Sequence, residues 1–231
     1  MAFSFVNPET EPLELVLFDC DGTITHSLDL AMESFLYGMR AVGAASVEPE
    51  EILAWYGISA DKIFKNVLSD TPHLAPLAFE AFLEHQREEV YRVHVHRGMD
   101  GVLNRLFDSM VPMGIVTGRH SSDLQIMLDY LELDHLFQVR ITDDQLTLPK
   151  PAPEGLFKAL QHFQIDASKA VYIGDSPGDV AAARAAGMKS VGVHWDPKCD
   201  IAKMRAEQPD YFIASSDELF VVFRDLGLRF I

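Results

Sequence analysis

A chain of 231 residues, 48% apolar and 23% charged, has enough material to bury a core as one large unit or two unequal ones. Its 35 acidic residues outnumber 19 Lys and Arg, and the formal charge of -16 sets aside nucleic acid and anionic membranes as main partners. Cys20 and Cys199 make no disulfide framework, and Met1 to Pro12 carries neither the basic region nor the apolar stretch of a signal peptide. A reduced, cytoplasmic protein with loosely ordered first residues is expected.

Leu13 to Phe18 is an apolar run that reads as a buried strand. Asp19 and Asp21 stand where it ends, on one face because strand side chains alternate. Two carboxylates so placed repel unless a cation or a shared proton relieves them; the competing reading is a polar strand end before the Gly22-Thr23 turn. From Ser27 to Val95 the spacing is helical and no strand is expected. Ser27 caps a helix carrying Leu28, Ala31, Met32, Phe35, Leu36 and Met39, ended by Gly43. Pro49 starts a second, with Ile52, Leu53 and Tyr56, closed at Gly57. Ser59 caps a third, with Ile63, Phe64, Val67 and Leu68, and Pro76 to Tyr91 forms a fourth.

From Gly98 strands and helices alternate. Helices are predicted at Met99 to Ser109, Ser121 or Ser122 to Leu131, Pro153 to Phe163, Asp179 to Ala186 and Asp217 to Leu226. Strands are predicted at Val111 to Thr117, Phe137 to Ile141, Ala170 to Gly174, Lys189 to Val193 and Tyr211 to Ala214. Such alternation implies a parallel sheet covered by helices on both faces, and the first strand must join it because a helical insert offers no partner. The expected fold is α/β: a Rossmann-like, three-layer α/β/α core of residues 1–24 and 97–231, with a helical cap, 25–96, inserted after the first strand.

Ligands of open parallel sheets bind beyond the carboxyl ends of the strands. Those ends carry Asp19 and Asp21; Thr117-Gly118-Arg119; and Gly174-Asp175-Ser176-Pro177-Gly178-Asp179, with Lys150 in the loop before the Pro153 helix. Clustered carboxylates suit Mg²⁺, and a hydroxyl, backbone N–H groups and a lysine suit phosphate. The combination points to phosphoryl chemistry.

In order and rough spacing these four groups resemble the motifs of the haloacid dehalogenase-like phosphohydrolase superfamily. Lys150-Pro151-Ala152-Pro153-Glu154 and the run Asp179 to Gly187 resemble its phosphoglycolate phosphatase-like branch, which carries a small cap at the same place. The resemblance implies Asp19 as nucleophile and Asp21 as acid and base. It implies Mg²⁺ held by Asp19, the Asp21 carbonyl and Asp175, and phosphate held by Thr117, the Gly118 amide and Lys150. Asp179 orients Lys150 or a metal-bound water, or serves only as a helix cap. The implied activity is Mg²⁺-dependent hydrolysis of a small phosphorylated metabolite through an aspartyl-phosphate, by a monomer or homodimer.

Two other readings compete: a sugar-phosphate mutase and a binding or regulatory module without catalysis. Against the mutase, Leu30-Ala31-Met32 has no His where related mutases have one, and Ala60 follows Gly57-Ile58-Ser59 where they tend to carry Arg. Against the inactive module, every motif carboxylate is present. In the cap, Lys62 and Lys65 are candidates for a second anionic group on the substrate, or else solvated helix residues. Arg119 either touches substrate or is a surface or helix-entry arginine. His26 stands at the hinge, where relatives commonly have Asp, and either makes cap closure pH-sensitive or faces solvent. His94 and His96 could hold a metal, but their place at the cap's return favours a hinge role. His194-Trp195 reads as loop packing.

Overall fold

The computed structural model describes residues 12–44 and 57–230. The first apolar run forms β1 (Leu15–Phe18), with every side chain buried. A two-residue strand, β2 (Thr25–His26), leads into α1 (Leu28–Ala41), α2 (Ala60–Val67) and α3 (Ala75–Glu89), and β3 (His94–Val95) returns antiparallel to β2. Alternation follows: α4 (Met99–Asp108), β4 (Met113–Thr117), α5 (Ser121–Tyr130), β5 (Val139–Thr142), α6 (Glu154–Phe163) and β6 (Ala170–Gly174). Then come α7 (Pro177–Ala186), β7 (Lys189–Val193), α8 (Ile201–Ala206), β8 (Tyr211–Ile213) and α9 (Glu218–Asp225).

A strand as uniformly apolar as β1 needs cover on both faces. It takes the interior of a six-stranded parallel sheet of order β5-β4-β1-β6-β7-β8. Phe18 is in register with Ile115 of β4 on one side and Ile173 of β6 on the other. The pleat sorts its side chains with period two. Val16 and Phe18 pack with Met113, Ile115, Val171 and Ile173 against α4, α5 and α9. Leu15 and Leu17 pack with Val116 and Tyr172 against α6 and α7. The result is the expected α/β/α sandwich with a Rossmann-like sheet.

The inserted helices bury an apolar cluster of their own, including Phe35, Met39, Ile63, Phe64, Ala78 and Phe82. The helix expected from Pro49, with Ile52, Leu53 and Tyr56, lies outside the described residues, as do the first eleven residues. Three expectations need correction. The segment 25–95 does contain strand, because β2 and β3 pair for two residues at the base of the insert, too few for any alternation to appear. Helix α8 was not foreseen; its start is the Asp200 carboxylate accepting from the Lys203 N–H. Ser27 and Ser59 do stand at the heads of α1 and α2, but their hydroxyls donate to Asp21 and Asp61 instead of accepting from helix N–H groups.

The chain builds outward from β1 to β5 and then returns to build from β6 to β8. The carboxyl ends of β1, β4 and β6 therefore converge at the topological switch point, where α/β sheets bind ligands. Tyr172, on β6, ties these strands together: its buried hydroxyl donates to the Val116 carbonyl at 2.6 Å and accepts from Lys150 Nζ at 3.2 Å. Tyr172→Phe leaves that carbonyl without its donor. It should lower stability by about 1–3 kcal/mol, read as a lower urea midpoint with unchanged slope.

Candidate active site

β1 ends on Asp19, and the chain turns at Gly22 in a left-handed conformation, φ +72°. A Cβ there would stand 2.1 Å from Asp175 Oδ2, so only glycine lets the turn pass under the carboxylate that β6 delivers. Thr23 Oγ1 donates to the other oxygen of Asp175 at 3.3 Å. β4 ends on buried Thr117, whose hydroxyl accepts from the Arg119 N–H at 3.2 Å. Gly118 follows; a Cβ on it would meet the Gly57 carbonyl of the insert at 2.8 Å. The insert thus rests directly on the end of β4.

Lys150 reaches this floor from the loop before α6. Its Nζ lies 2.6 Å from Asp179 Oδ1 and 3.0 Å from Asp19 Oδ1. Nζ also donates to the Tyr172 hydroxyl oxygen at 3.2 Å, so one ammonium is shared among Asp179, Tyr172 and the buried Asp19. Asp179 is not the helix cap. Ser176 caps α7, and Asp179 closes the capping box by accepting from the Ser176 N–H at 2.9 Å, leaving its other oxygen on Lys150.

Asp19, Asp175 and Asp179 each offer an oxygen within 4.8 Å of the others. Burial raises the Asp19 carboxyl to about 7, with Lys150 opposing and Asp179 and Asp21 adding to the rise. Burial also pushes Asp175 well above the ordinary range, reinforced by the charges of Asp19 and Asp179. Lys150 stays firmly protonated: desolvation works against its charge, but Asp179 and Asp19 outweigh it. The donor set is all oxygen and short of positive charge, which fits a hard divalent cation at Asp19 and Asp175.

Asp21 is held differently. Arg119, 5% exposed in its side chain, donates to both of its carboxylate oxygens, Nε to Oδ2 at 2.8 Å and Nη2 to Oδ1 at 2.6 Å. The Ser27 hydroxyl donates to Oδ1 as well. Burial would raise the Asp21 pKa, but Arg119, Ser27 and Lys150 together bring it below its ordinary value. Arg119 also faces Asp123, one helical turn on, at 2.7 Å, and burial raises that carboxyl to about 6. Neither sequence reading of Arg119 anticipated this clamp; the visible signal was an acidic residue four positions after an arginine at a helix start.

A cavity of about 740 Å³ opens above these groups, with Asp19, Asp21, Thr117, Gly118, Lys150 and Asp175 on its floor. The described part of its roof is apolar, with Leu28, Met32, Phe35, Ile58, Ile63 and Phe82. Lys62 and Lys65 do not line it. Lys62 Nζ binds Asp143, at 3.0 Å from Oδ2 and 2.7 Å from its carbonyl, and Asp143 also accepts from the Ser59 N–H. Lys65 is exposed and pairs with Asp61. These two lysines fasten the insert or face solvent because acidic partners stand nearer to them than the cavity does. His26 does not simply face solvent either: its Nδ1 lies 2.9 Å from the buried Asp196. Trp195 packs as expected, its indole N–H donating to the Thr23 carbonyl.

The chain belongs to the haloacid dehalogenase-like hydrolase family, whose sequence model matches residues 16–193. Among curated relatives, pyrophosphatase PpaX of Bacillus cereus is 26% identical over 215 residues, covering 93% of this chain and 98% of that protein. The fold recurs in a predicted phosphoglycolate phosphatase from Haemophilus somnus, with a TM-score of 0.79 at 20% identity over 91% of this chain and 97% of that one. A hydrolase from Pseudomonas syringae aligns with a TM-score of 0.78 at 20% identity over 93% of this chain and 100% of that one. Among the described residues, no helix is long and apolar enough to cross a membrane.

Two outcomes follow. Arg119→Gln leaves Asp21 and Asp123 without their buried cation and should cost about 3–5 kcal/mol in chemical unfolding. Asp19 has a raised pKa in the folded state, so its contribution to metal-free stability is full below the ordinary 3.8 and is lost as pH rises through about 7. Asp19→Asn should therefore gain stability relative to wild type between pH 5 and pH 8 without divalent cations, in paired urea titrations, and saturating Mg²⁺ should abolish the gain.

Proposed function

We propose that this protein is a Mg²⁺-dependent phosphatase that hydrolyses a small phosphomonoester through an aspartyl-phosphate on Asp19. The observation that carries the reading is the desolvated Asp19 carboxyl, which faces a cavity between Lys150 and Asp175. A nucleophile needs that exposure of its lone pairs, and the neighbouring positive charge lets an anion approach.

In this reading an oxygen of Asp19 attacks phosphorus while the leaving oxygen takes a proton from the protonated form of Asp21, which Arg119 and Ser27 keep a minor species in the free protein. Water then attacks the acyl phosphate, gives a proton to Asp21 and releases inorganic phosphate. The Thr117 hydroxyl, the Gly118 N–H and Lys150 hold the non-bridging oxygens, and Asp179 with Tyr172 fixes Lys150. Arg119 and Ser27 orient Asp21. Mg²⁺, held by Asp19, Asp175 and the Asp21 carbonyl, supplies charge neutralisation between carboxylate and phosphate when bound. Residues 25–96 act as a cap on a core of 1–24 and 97–231. The cap excludes water, and its apolar roof favours a leaving group with a carbon skeleton.

Pyrophosphate is the second reading. It is supported by the name of the Bacillus cereus relative and by Lys198 and Lys203 at the cavity edge. Initial rates on p-nitrophenyl phosphate, a panel of phosphomonoesters and pyrophosphate, with and without Mg²⁺, separate the two. We expect Mg²⁺-dependent turnover, higher kcat/KM for a monoester, and a loss of about 10³-fold or more in Asp19→Asn. Higher kcat/KM for pyrophosphate than for every monoester would select the second reading. A rate surviving in Asp19→Asn would remove the nucleophile assignment.

A further inference from the structure

Three side chains that the proposed chemistry does not use meet at the base of the insert. His26 ends β2, His96 directly follows β3, and Asp196 stands in the loop after β7. Asp196 is fully buried in its side chain and His96 is 11% exposed. None of the three lines the active-site cavity.

Their orientations converge on one point. Asp196 Oδ2 lies 2.9 Å from His26 Nδ1 and 3.4 Å from His96 Nε2. The three ligand atoms all fall within 4.8 Å of one another. On a tetrahedral Zn²⁺, with metal–ligand bonds of about 2.0–2.2 Å, neighbouring ligand atoms stand about 3.3 Å apart, so the spacing suits such an ion.

His96 Nε2 is buried and has no hydrogen-bond partner, although it points at Asp196. Asp196 is fixed from outside: its Oδ1 accepts from the Lys198 N–H at 2.8 Å, leaving Oδ2 for the imidazoles. An outer hydrogen bond on the carboxylate, with an unsatisfied imidazole nitrogen aimed at the same centre, is an arrangement that metal ligands adopt.

We propose that His26, His96 and Asp196 form a transition-metal site, best suited to Zn²⁺, that braces the two strands of the hinge against the core. Two imidazoles and one carboxylate are borderline ligands that favour Zn²⁺ over Mg²⁺, and they leave a fourth position open. The ion links the strand leaving the core, the strand returning to it and the loop after β7. Any movement of the insert about β2 and β3 then strains a coordination bond. This site is separate from the carboxylates around Asp19, and its existence does not depend on the phosphatase reading.

The test is titration of the intact protein with Co²⁺ in excess Mg²⁺, so that the hard oxygen site is filled. One equivalent should bind, with the visible d–d absorption of a four-coordinate N/O site, and Zn²⁺ should displace it. His96→Gln and Asp196→Asn should each weaken binding by at least about 10-fold, whereas Asp175→Asn should leave the spectrum in place. Absence of the spectrum in wild type, or its loss in Asp175→Asn with retention in His96→Gln, would overturn the proposal. Imidazole NMR of the wild type guards against misfolded variants. Zn²⁺ should shift two of the nine histidines, His26 and His96 by assignment, and shifts confined to others, or none, would overturn it.

Discussion

Asp19 and Asp175 face each other at the ends of adjacent strands, in a place from which water has been largely removed. Neither can ionise freely while the other does, and their protonation reflects that conflict. Much of the surrounding structure answers the repulsion. Lys150 is drawn in from a neighbouring loop and pinned by Asp179 and Tyr172, so that its charge lies beside Asp19. Gly22 has no side chain because Asp175 occupies the space one would need. The position of β1 between β4 and β6 follows the same logic, since only an interior strand can bring carboxylates, hydroxyl and lysine together.

Asp21 is two residues away yet in a different electrostatic state. Arg119 and Ser27 satisfy its oxygens, and the net effect is a carboxylate held below its ordinary pKa while Asp19 is held above. Two identical side chains on one loop are driven apart by their neighbours. Ser27 stands at the head of α1. The first residues of the insert therefore touch Asp21 itself, which couples the position of the insert to the orientation of that carboxylate.

How much of this was legible in the sequence depended on range. β1 and β6 could be read because fully buried parallel strands are continuous apolar runs bounded by turns. Asp19, Thr117, Lys150 and Asp175 could be found because each stands at such a boundary. Arg119 was visible as a residue, but its burial was not, since that depends on Asp21 being brought to it across 98 positions. Lys62 was visible as a cation on the insert, and what engages it is Asp143, on a different element altogether. Ser27 and Ser59 were legible as helix starts by residue type, but type does not reveal whether a hydroxyl turns to its own helix or to a carboxylate nearby. The β2–β3 pair was missed because two residues carry no period, and with it the alignment of His26 with His94.

That small ladder gives the insert a mechanical definition. The first residues after Gly22-Thr23 and the last before α4 are paired to one another, so the insert joins the sheet through one short ribbon and not through two independent linkers. The ribbon is tethered near β7, where Trp195 binds the Thr23 carbonyl and Asp196 binds His26. On the far side Asp143 receives the Ser59 N–H and Lys62, placing a buried carboxylate at the start of α2, where backbone N–H groups favour it. Closure is thus held at two places of unlike chemistry: a hinge built of imidazoles and carboxylate, and a latch built of an ion pair and a helix start. The latch is the simpler to release, because Lys62 is a flexible and partly exposed side chain whereas Asp196 is buried among fixed partners.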